Sequence, residues 1–451
     1  MGKIALLWFR QDLRLRDNTA LRQARAQGYA IIPVFILDDI SAGPWKRGGA
    51  SRWWLHESLK ALNADLQGTM VFRAGNARDI LPALAKQAGA QAVFWNRCYE
   101  PWRIARDKEI KEHLKQDGIA AESFKDSLLW EPWEILKDDG TQYKVFTPFY
   151  RKGCLGQPAP AEPASPCWPI SCAPFATKVW LEDLRLLPDI PWYTGMAAVW
   201  RPGEAGAQKR LQDFLSAGLR NYKELRNRPD LEHVSRLSPH LHFGEISPRE
   251  VWHAVRAAGV VEGLEGDADF FCSEMGWREF SYSLLYHNPD LPHEPLQKRF
   301  KTFPWDRNDE ALDRWRSGRT GIPIVDAGMR QLWQTGWMHN RVRMIVASFL
   351  VKNLLLHWRH GEDWFWDCLV DADLANNAAS WQWVAGCGAD AAPYFRIFNP
   401  VTQGEKFDPD GAYVRQYVPE FGTDRYPAPL VDLKKSRERA LQAFEKTRQG
   451  A

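Results

Sequence analysis

The chain has 451 residues, of which 45% are hydrophobic and 25% charged, and this composition excludes an overall disordered protein. Its length exceeds what one hydrophobic core usually organises, so we expect two domains. Since the net charge is only +3, any surface that binds a polyanion must be a local cluster of lysine and arginine.

Cysteine usage and the N-terminus are typical of a protein that works inside the cell. The seven cysteines are scattered and include no C-x-x-C pair, so we expect neither a disulfide framework nor a metal site. The N-terminus leads directly into a strand-like run without a signal peptide, and no apolar run reaches the roughly 18 residues that span a bilayer. We therefore expect a cytoplasmic protein with reduced thiols and no membrane association.

From residue 3 to about 125, short apolar segments alternate with helical ones. Parallel sheets that are covered on both faces contain such apolar strands, joined by helices. The sequence therefore predicts an α/β N-terminal domain over residues 1–130 with a parallel Rossmann-like sheet. The predicted strands are 4–9, 30–37, 70–73, 92–96 and 120–124, and the predicted helices are 18–27, 50–64, 77–88 and 103–115.

The loop after the first predicted strand lacks the glycine-rich turn of a dinucleotide site. It reads Arg-Gln-Asp-Leu-Arg-Leu-Arg-Asp-Asn over residues 10–18 and contains neither G-x-G-x-x-G nor a P-loop. Sheets of this kind bind ligands beyond the carboxyl ends of their strands. We therefore expect that any flavin or nucleotide is held by a different kind of contact.

Proline is dense between residues 150 and 203, where it blocks regular structure. We assign residues 131–203 to a long interdomain linker and residues 204–451 to an all-α C-terminal domain. The segment 338–358 gives the clearest helical pattern, with its apolar residues on one side. Asn340 and Met344 stand one turn apart on the other side.

Two segments of the helical part combine groups that bind phosphates or flat rings. Ser238 and Ser247 begin helices, which suits either a phosphate or, more commonly, simple capping. Glu274, Trp277 and Arg278 share one helix face. This face is either a surface Glu–Arg pair beside a half-buried indole or the wall of a pocket that stacks a flat ring.

The segment 371–399 places carboxylates, amides and indoles among alanines and glycines. Small residues let other groups approach the backbone, whereas buried polar side chains without partners are costly. We therefore expect a flat polar group to fill the space beside this segment.

Several long motifs closely resemble those of the DNA photolyase/cryptochrome family, in the order that the family has them. The likeness runs from residues 8–14 to the C-terminal tail. It implies an antenna domain, a long linker and a helical domain that binds FAD. The motifs cover residues 96–102, 235–239, 274–280, 321–330, 337–344 and 371–399.

The resemblance also implies roles for individual residues. Asn377 matches the residue that faces the reactive N5 of the flavin, where an amide adds no second negative charge beside an anionic reduced flavin. The full set of implied flavin contacts is Tyr222, Val234, Ser235, Arg236, Leu237, Ser238, Phe271, Glu274, Arg278, Asn340, Arg343, Asp371, Ala372, Asp373 and Asn377.

Further positions match electron-transfer, lesion and DNA contacts of the family. Trp381, Trp358 and Trp305 match the tryptophans that relay an electron to the photoexcited flavin. The catalytic positions around the lesion match Glu274, Trp277, Asn340, Met344 and Trp383. The DNA-binding positions match Arg226, Trp277, Arg278, Arg341, Trp383 and Gln403.

The implied activity is the light-driven repair of cyclobutane pyrimidine dimers. Photoexcited reduced FAD gives an electron to a dimer flipped out of the helix, the cyclobutane ring splits, and the electron returns. The expected partner is UV-damaged DNA, and we expect a monomer. A cryptochrome-type photoreceptor, repair of (6-4) photoproducts and a non-catalytic DNA-binding flavoprotein are the alternatives.

A few residues favour dimer repair among these alternatives. Asn340 and Met344 stand where enzymes acting on (6-4) photoproducts have histidines, and Asn377 differs from the Asp of plant cryptochromes. Val234 and Phe271 depart from the Thr and Trp of some relatives, which weakens these two assignments.

The antenna chromophore is predicted from two features. Trp102 and Arg103 replace the Asn-Glu pair of well-known folate-binding relatives. Together with residues 48–55, Trp102 is more similar to a bacterial subgroup, class III, that stacks methenyltetrahydrofolate on aromatic rings. A deazaflavin is the alternative, and a second relay through Trp364 or Trp366 stays open.

Overall fold

A computed structural model of the chain describes residues 2–166, 169–391 and 395–449. Cys167 and residues 392–394 of the segment 371–399 lie outside the described residues. The N-terminal part contains a five-stranded sheet in the order β3-β2-β1-β4-β5, and all neighbouring strands are parallel. The strands are β1 (Lys3–Phe9), β2 (Tyr29–Leu37), β3 (Val71–Ala74), β4 (Ala92–Asn96) and β5 (Ala120–Phe124).

The sequence of strand β1 is almost continuously apolar because both of its faces are buried. Leu7 and Phe9 pack into a core on one face of the sheet, whereas Leu6 and Trp8 pack into a separate core on the other face. Both sets of alternating side chains are therefore buried, as in other parallel sheets. All five predicted strands are confirmed to within one residue.

Helices cover the sheet and form most of the remaining chain, and beyond residue 124 the described residues contain no further strand. The predicted fold class is therefore confirmed. The helices are α1 (Thr19–Ala26), α2 (Asp39–Ala42), α3 (Gly49–Asp65), α4 (Ala77–Ala88), α5 (Pro101–Gln116), α6 (Phe146–Pro148), α7 (Thr194–Val199), α8 (Glu204–Asp213), α9 (Tyr222–Leu225), α10 (Ser238–Phe243), α11 (Pro248–Glu262), α12 (Glu265–His287), α13 (Asp309–Arg316), α14 (Pro323–Thr335), α15 (Asn340–Ser348), α16 (Trp358–Cys368), α17 (Leu374–Ala385), α18 (Pro400–Phe407), α19 (Ala412–Tyr417) and α20 (Leu433–Gln449).

The proline-rich segment runs over the surface of the sheet domain. Between residues 155 and 193 its described part forms only one short 3₁₀ turn. The Ile31 N–H donates to the Ser171 carbonyl at 2.9 Å, and the Ala173 N–H donates to the Ile31 carbonyl at 2.8 Å. Leu181 and Leu184 pack into the same core as β1. The segment is thus anchored, while the domain boundaries at residues 130 and 203 stay predictions.

The predicted continuous helix over residues 338–358 is wrong. Helix α15 passes into a π-helical turn, Phe349–Asn353, and Leu355 then adopts a left-handed backbone with φ of 55°. The Leu355 carbonyl accepts the Asp306 N–H at 2.8 Å, so a backbone contact with a distant segment replaces the helical hydrogen bond. The break brings Trp305 next to the start of α16.

A buried charged network joins the loop after β1 to the helical part. Arg14 forms an ion pair with Asp126, and its Nη1 donates to the Gly244 carbonyl at 2.9 Å. Arg249 reaches back from α11 to Asp17 at 2.9 Å and to Asp126 at 3.4 Å. The side chains of Arg14 and Asp126 are at most 1% exposed. The loop that lacks a nucleotide-binding turn therefore docks the two parts of the molecule.

The substitution Asp126→Ala is expected to lower the free energy of unfolding by about 3–5 kcal/mol, because it leaves the buried Arg14 guanidinium without its carboxylate partner. Urea denaturation followed by circular dichroism measures this loss. Asp410→Asn is the matched control, since this exposed carboxylate lies 3.9 Å from Arg228, and it should change the unfolding free energy by less than about 0.5 kcal/mol. A loss of the same size in both variants would contradict the role of the network.

Candidate active site

Asp371 joins three segments that are distant in sequence. Arg343 on α15 donates from Nη2 to both oxygens of Asp371, at 3.1 and 2.9 Å. Ser238 at the start of α10 donates its hydroxyl to the same carboxylate at 2.6 Å. Arg343 is itself held by the Met338 carbonyl, which accepts from Nε at 2.7 Å. The Asp371 side chain is only 4% exposed, and these charge-assisted hydrogen bonds offset the cost of burying it.

Asp373 caps the N-terminus of α17 and is held from three sides. It accepts the Asn376 N–H at 2.9 Å, the Tyr282 hydroxyl at 2.5 Å and a hydrogen bond from Nδ1 of His242 at 3.3 Å. Burial alone would raise the pKa of Asp373, but the hydrogen bonds from His242 and Tyr282 lower it below its usual value. The carboxylate therefore stays ionised. Only the structure identifies His242 and Tyr282 as its partners.

Asn377 lies one turn into α17 and is 8% exposed. Its Nδ2 donates to the backbone carbonyl of Glu362 on α16 at 3.0 Å, which fixes the orientation of the amide. Burial, with a smaller contribution from Asp363, raises the pKa of the Glu362 side chain well above its usual value. Since Glu362 is 1% exposed, both side chains at this position are neutral.

Glu274 does not form the surface pair with Arg278 that the sequence allowed. Arg226 binds both of its oxygens, at 2.6 and 2.7 Å, whereas Arg278 donates to Glu279 at 3.0 Å. Burial raises the pKa of Glu274, and the guanidinium of Arg226 opposes this shift. The pair therefore presents a fixed carboxylate on the face of α12 that also carries Trp277.

The indoles of Trp277 and Trp383 are connected through residues that the sequence did not single out. Phe146 stacks on Trp277 with ring centroids 3.8 Å apart and an angle of 10° between the planes. The backbone N–H of Phe146 faces the Asp390 carboxylate and opposes the rise in its pKa that burial causes, and the Asp390 carbonyl accepts Nε1–H of Trp383 at 3.2 Å. Both indoles are half-buried, so each has ring surface available for a flat ligand.

The tryptophans at 305, 358 and 381 lie along helix α16. His357 separates the first two rings, with centroids 5.1 Å from Trp305 and 5.4 Å from Trp358. Trp381 packs against Gly361, one turn after Trp358, where a Cβ would lie 2.0 Å from the indole. Trp358 and Trp381 are each 2% exposed, whereas Trp305 is half-buried. The three rings thus lead from the interior towards the surface.

The other predicted contacts fall around these groups. Tyr222 and Phe271 form one aromatic cluster, with centroids 5.4 Å apart. Arg341 donates to Asn227 at 2.8 Å and lies over the ring of Phe407, 4.5 Å from its centroid. Asn340 is exposed and Met344, Gln403 and Arg236 are half-buried, while Val234 packs against the core that contains β1.

A cavity lies beyond the carboxyl ends of β1, β2 and β4. Trp45, Trp102 and Trp366 contribute aromatic rings to its wall. Two polar atoms of its lining, Nη2 of Arg47 and Oε2 of Glu100, are buried without a hydrogen-bond partner, which indicates that a polar ligand completes the site. Arg103 pairs with the other oxygen of Glu100, since its Nε lies 3.1 Å from Oε1. The sequence had singled out Trp102 and Arg103, but neither Trp45 nor Glu100.

The cavity also touches the helical part. His242, Ala372 and Leu374 form the side of it that faces the segment 371–377. Gly48 and Gly49 allow this close approach, since a Cβ at Gly48 would lie 2.4 Å from the backbone of Asp367.

Two kinds of feature are absent from the described residues. No group of three or more His, Cys, Asp or Glu side chains there is arranged to hold a metal ion. No helix in the described ranges has the length and apolar character needed to span a membrane.

Two family models match the chain. The model described as DNA photolyase matches residues 5–166, and the model described as the FAD binding domain of DNA photolyase matches residues 270–423. The first match contains the sheet, and the second contains most of the residues that surround Asp371 and Glu274.

Named relatives match over nearly the full length. A deoxyribodipyrimidine photo-lyase of Agrobacterium fabrum is 47% identical over 97% of this chain and 97% of its own length. Cryptochrome-2 of Arabidopsis thaliana is 37% identical over 100% of this chain and 80% of its own length. The crystal structure of a bacterial class III photolyase from Agrobacterium tumefaciens has a TM-score of 0.93, with 46% identity and coverage of 100% of this chain and 98% of that chain.

The buried imidazole of His339 is expected to make the stability of the protein depend on pH. Burial, followed by the charges of Arg226, Arg236, Arg341 and Arg343, lowers the pKa of His339 from 6.5 to about 3. Between these pH values the unfolded chain binds a proton that the folded protein does not, so stability falls as the pH falls. The expected loss attributable to His339 between pH 7 and pH 5 is about 2 kcal/mol.

The variant His339→Asn tests this expectation, because asparagine keeps the N-cap acceptor of α15 and does not titrate. Urea midpoints at pH 7 and pH 5 should differ less in the variant than in the parent protein. His360→Asn, at an exposed position, is the control and should keep the parent difference. Equal pH dependence of the His339→Asn variant and the parent would contradict the prediction.

Proposed function

Since the chain belongs to the DNA photolyase family, we propose that it is a deoxyribodipyrimidine photo-lyase that repairs cyclobutane pyrimidine dimers in DNA with light. The observation that carries this proposal is the arrangement of helix α17. Its N-terminal end and the residues before it hold two carboxylates and a neutral amide, which suit a flavin. Its C-terminal half carries Trp383, which Asp390 and Phe146 connect to Trp277.

The polar side chains around Asp371 and Asp373 fit FAD, the cofactor that the family's second domain binds. Two carboxylates, held by Arg343 and Tyr282 among others, can accept N–H groups of the cofactor. When bound in its reduced form, FAD absorbs light and supplies the electron that splits the dimer. The remaining contacts of the flavin are proposed for the positions that the family resemblance implies.

Asn377 and Glu362 set the charge beside the proposed flavin. The Asn377 amide is oriented by the Glu362 carbonyl, and burial raises the pKa of the Glu362 side chain so that it stays protonated. Neither side chain therefore places a negative charge next to an anionic reduced ring. This suits a site that must hold an electron until it reaches the dimer.

The flipped dimer is proposed to bind between Trp277 and Trp383. Stacking on aromatic rings stabilises unpaired bases, and a damaged pair of bases leaves the helix at a lower cost than an intact one. Glu274 would accept or donate a hydrogen bond at the edge of the bases, in an orientation fixed by Arg226. Asn340 and Met344 would border the same pocket.

The DNA backbone is proposed to lie along the arginines that surround this pocket. Arg226, Arg341 and Arg278 come from three different helices or turns, and Gln403 adds an amide from α18. Contacts between arginine and phosphate position the duplex without reading its sequence. Such a substrate places the site of action in the cytoplasm.

Trp305, Trp358 and Trp381 are proposed to return electrons to an oxidised flavin. Indoles can be oxidised transiently, and the rings lead from the half-buried Trp305 inwards along α16. His357 lies between Trp305 and Trp358 and would contribute to the coupling between them.

The cavity beyond the carboxyl ends of β1, β2 and β4 is proposed to hold the antenna chromophore, methenyltetrahydrofolate, with a deazaflavin as the alternative. Trp45 and Trp102 suit a flat pterin, and the unpartnered atoms of Arg47 and Glu100 suit its charged and amino groups. This arrangement is consistent with a class III enzyme.

The proposal is tested by illuminating the reduced protein with an oligothymidine that contains dimers. Recovery of absorbance by the restored thymines is the expected result. The absence of recovery from protein that retains bound FAD would exclude the repair function.

The variant Trp277→Ala is expected to weaken binding of the dimer by about 1–3 kcal/mol, since it removes one stacking surface. This loss corresponds to roughly a 5- to 150-fold increase in Kd. Fluorescence anisotropy with labelled oligothymidine measures Kd, and the absorbance of bound FAD should be unchanged. Trp252→Ala on α11 is the control for loss of a buried indole, and an unaltered Kd in Trp277→Ala would argue against the pocket.

The variant Trp381→Phe is expected to lose photoreduction of oxidised FAD, because phenylalanine is too hard to oxidise to replace the indole. Repair by enzyme that has been reduced beforehand should be largely preserved. Flavin absorbance under blue light follows photoreduction, and Trp252→Phe should behave as the parent. Undiminished photoreduction in Trp381→Phe would show that a different route supplies the electron.

A further inference from the structure

The proposed antenna cavity and the proposed flavin site share a wall. Ala372 and Leu374 line the cavity, and they alternate in sequence with Asp371 and Asp373, whose carboxylates belong to the flavin site. A ligand in the cavity therefore packs against Ala372 and Leu374, which are next in sequence to the residues that carry these carboxylates. The two sites lie on opposite sides of one short segment.

His242 is the side chain that touches both sides of this wall. It lines the cavity and is 9% exposed. Its Nδ1 lies 3.3 Å from Oδ2 of Asp373, the oxygen that also accepts the Tyr282 hydroxyl. Because Asp373 is ionised, Nδ1 carries the proton and donates it to this hydrogen bond. Within the described part of the chain, Nε2 of His242 has no hydrogen-bond partner.

We propose that His242 is a positioning residue that couples the two cofactor sites, so that a chromophore in the cavity tightens the binding of FAD through the hydrogen bond to Asp373. This inference rests on the proposed function for the identity of both ligands. It assigns to His242 a role that involves neither the chemistry of repair nor the transfer of light energy.

The coupling arises because each ligand restricts the motion of His242 and of the segment 371–374, which lie between the two sites. A chromophore packed against His242 and Leu374 restricts the rotation of the imidazole and holds its Nδ1–H on Asp373. FAD then binds to a carboxylate that is already oriented, and it loses less conformational freedom on binding. By linkage, FAD must tighten the chromophore by the same factor.

The test compares the affinity of the full-length protein, freed of FAD, for added FAD with and without saturating methenyltetrahydrofolate. Equilibrium dialysis, with released FAD measured by its fluorescence, gives both dissociation constants. The folate should lower the Kd of FAD by roughly fivefold or more in the parent protein. In His242→Phe, which keeps a ring but not the donor, the ratio of the two constants should fall to about one.

Two further variants separate this role from a general structural one. His242→Asn places an amide donor near the position of Nδ1 and should recover part of the coupling. Trp102→Phe changes a different side of the cavity, so it should raise the folate concentration needed for saturation but leave the ratio at saturation unchanged.

Two results would overturn the proposal. The first is a ratio of the two FAD dissociation constants near one in the parent protein, which includes the case that neither the folate nor a deazaflavin binds. The second is an unchanged ratio in His242→Phe. Repair under direct excitation of the flavin, without any antenna, is measured on the same preparations. Intact repair without coupling would exclude this inference alone, whereas intact coupling without repair would exclude the repair function alone.

Discussion

The buried ion pairs of Arg14, Asp126, Arg249 and Asp17 are the constraint on which the remaining structure depends. They hold the loop after β1 against α11, and this contact fixes the sheet relative to the helical part. Removing one partner from such a network costs several kcal/mol because it leaves a charge buried and unpaired. Since the cavity at the carboxyl ends of the strands is closed by helical residues, its shape depends on the same contact.

The short segment 371–374 is the second element on which the site depends. Its two carboxylates accept hydrogen bonds from side chains on α10, α12 and α15. Several helices must therefore be in place before these carboxylates have their hydrogen-bond partners. Its alternate residues, Ala372 and Leu374, turn to the cavity. The proposed light-collecting site and the proposed flavin site are therefore separated by one layer of backbone, which suits both energy transfer and the coupling inferred for His242.

Charge is distributed around the proposed flavin in a definite pattern. Asp373 stays ionised because hydrogen bonds from His242 and Tyr282 lower its pKa, and Asp371 pairs with Arg343. Burial keeps Glu362 protonated and His339 neutral. The carboxylates of Asp371 and Asp373 thus lie at positions with bound donors, whereas Asn377 and Glu362 add no negative charge. An electron placed on a flavin there would meet these two neutral side chains, and Arg226 and Arg341 would lie on the side proposed for DNA.

The buried parallel strands, the order of elements and the family follow from the sequence alone, and long motifs predict polar residues for the proposed site. Side-chain period shows which faces are buried, and long motifs identify residues that recur in a family. Three features appear only in the folded structure. They are the contact of His242 with Asp373, the stacking of Phe146 on Trp277, and the helix break at Leu355. Each depends on contact between segments far apart in the chain, and periodicity shows that a face is buried without showing what covers it.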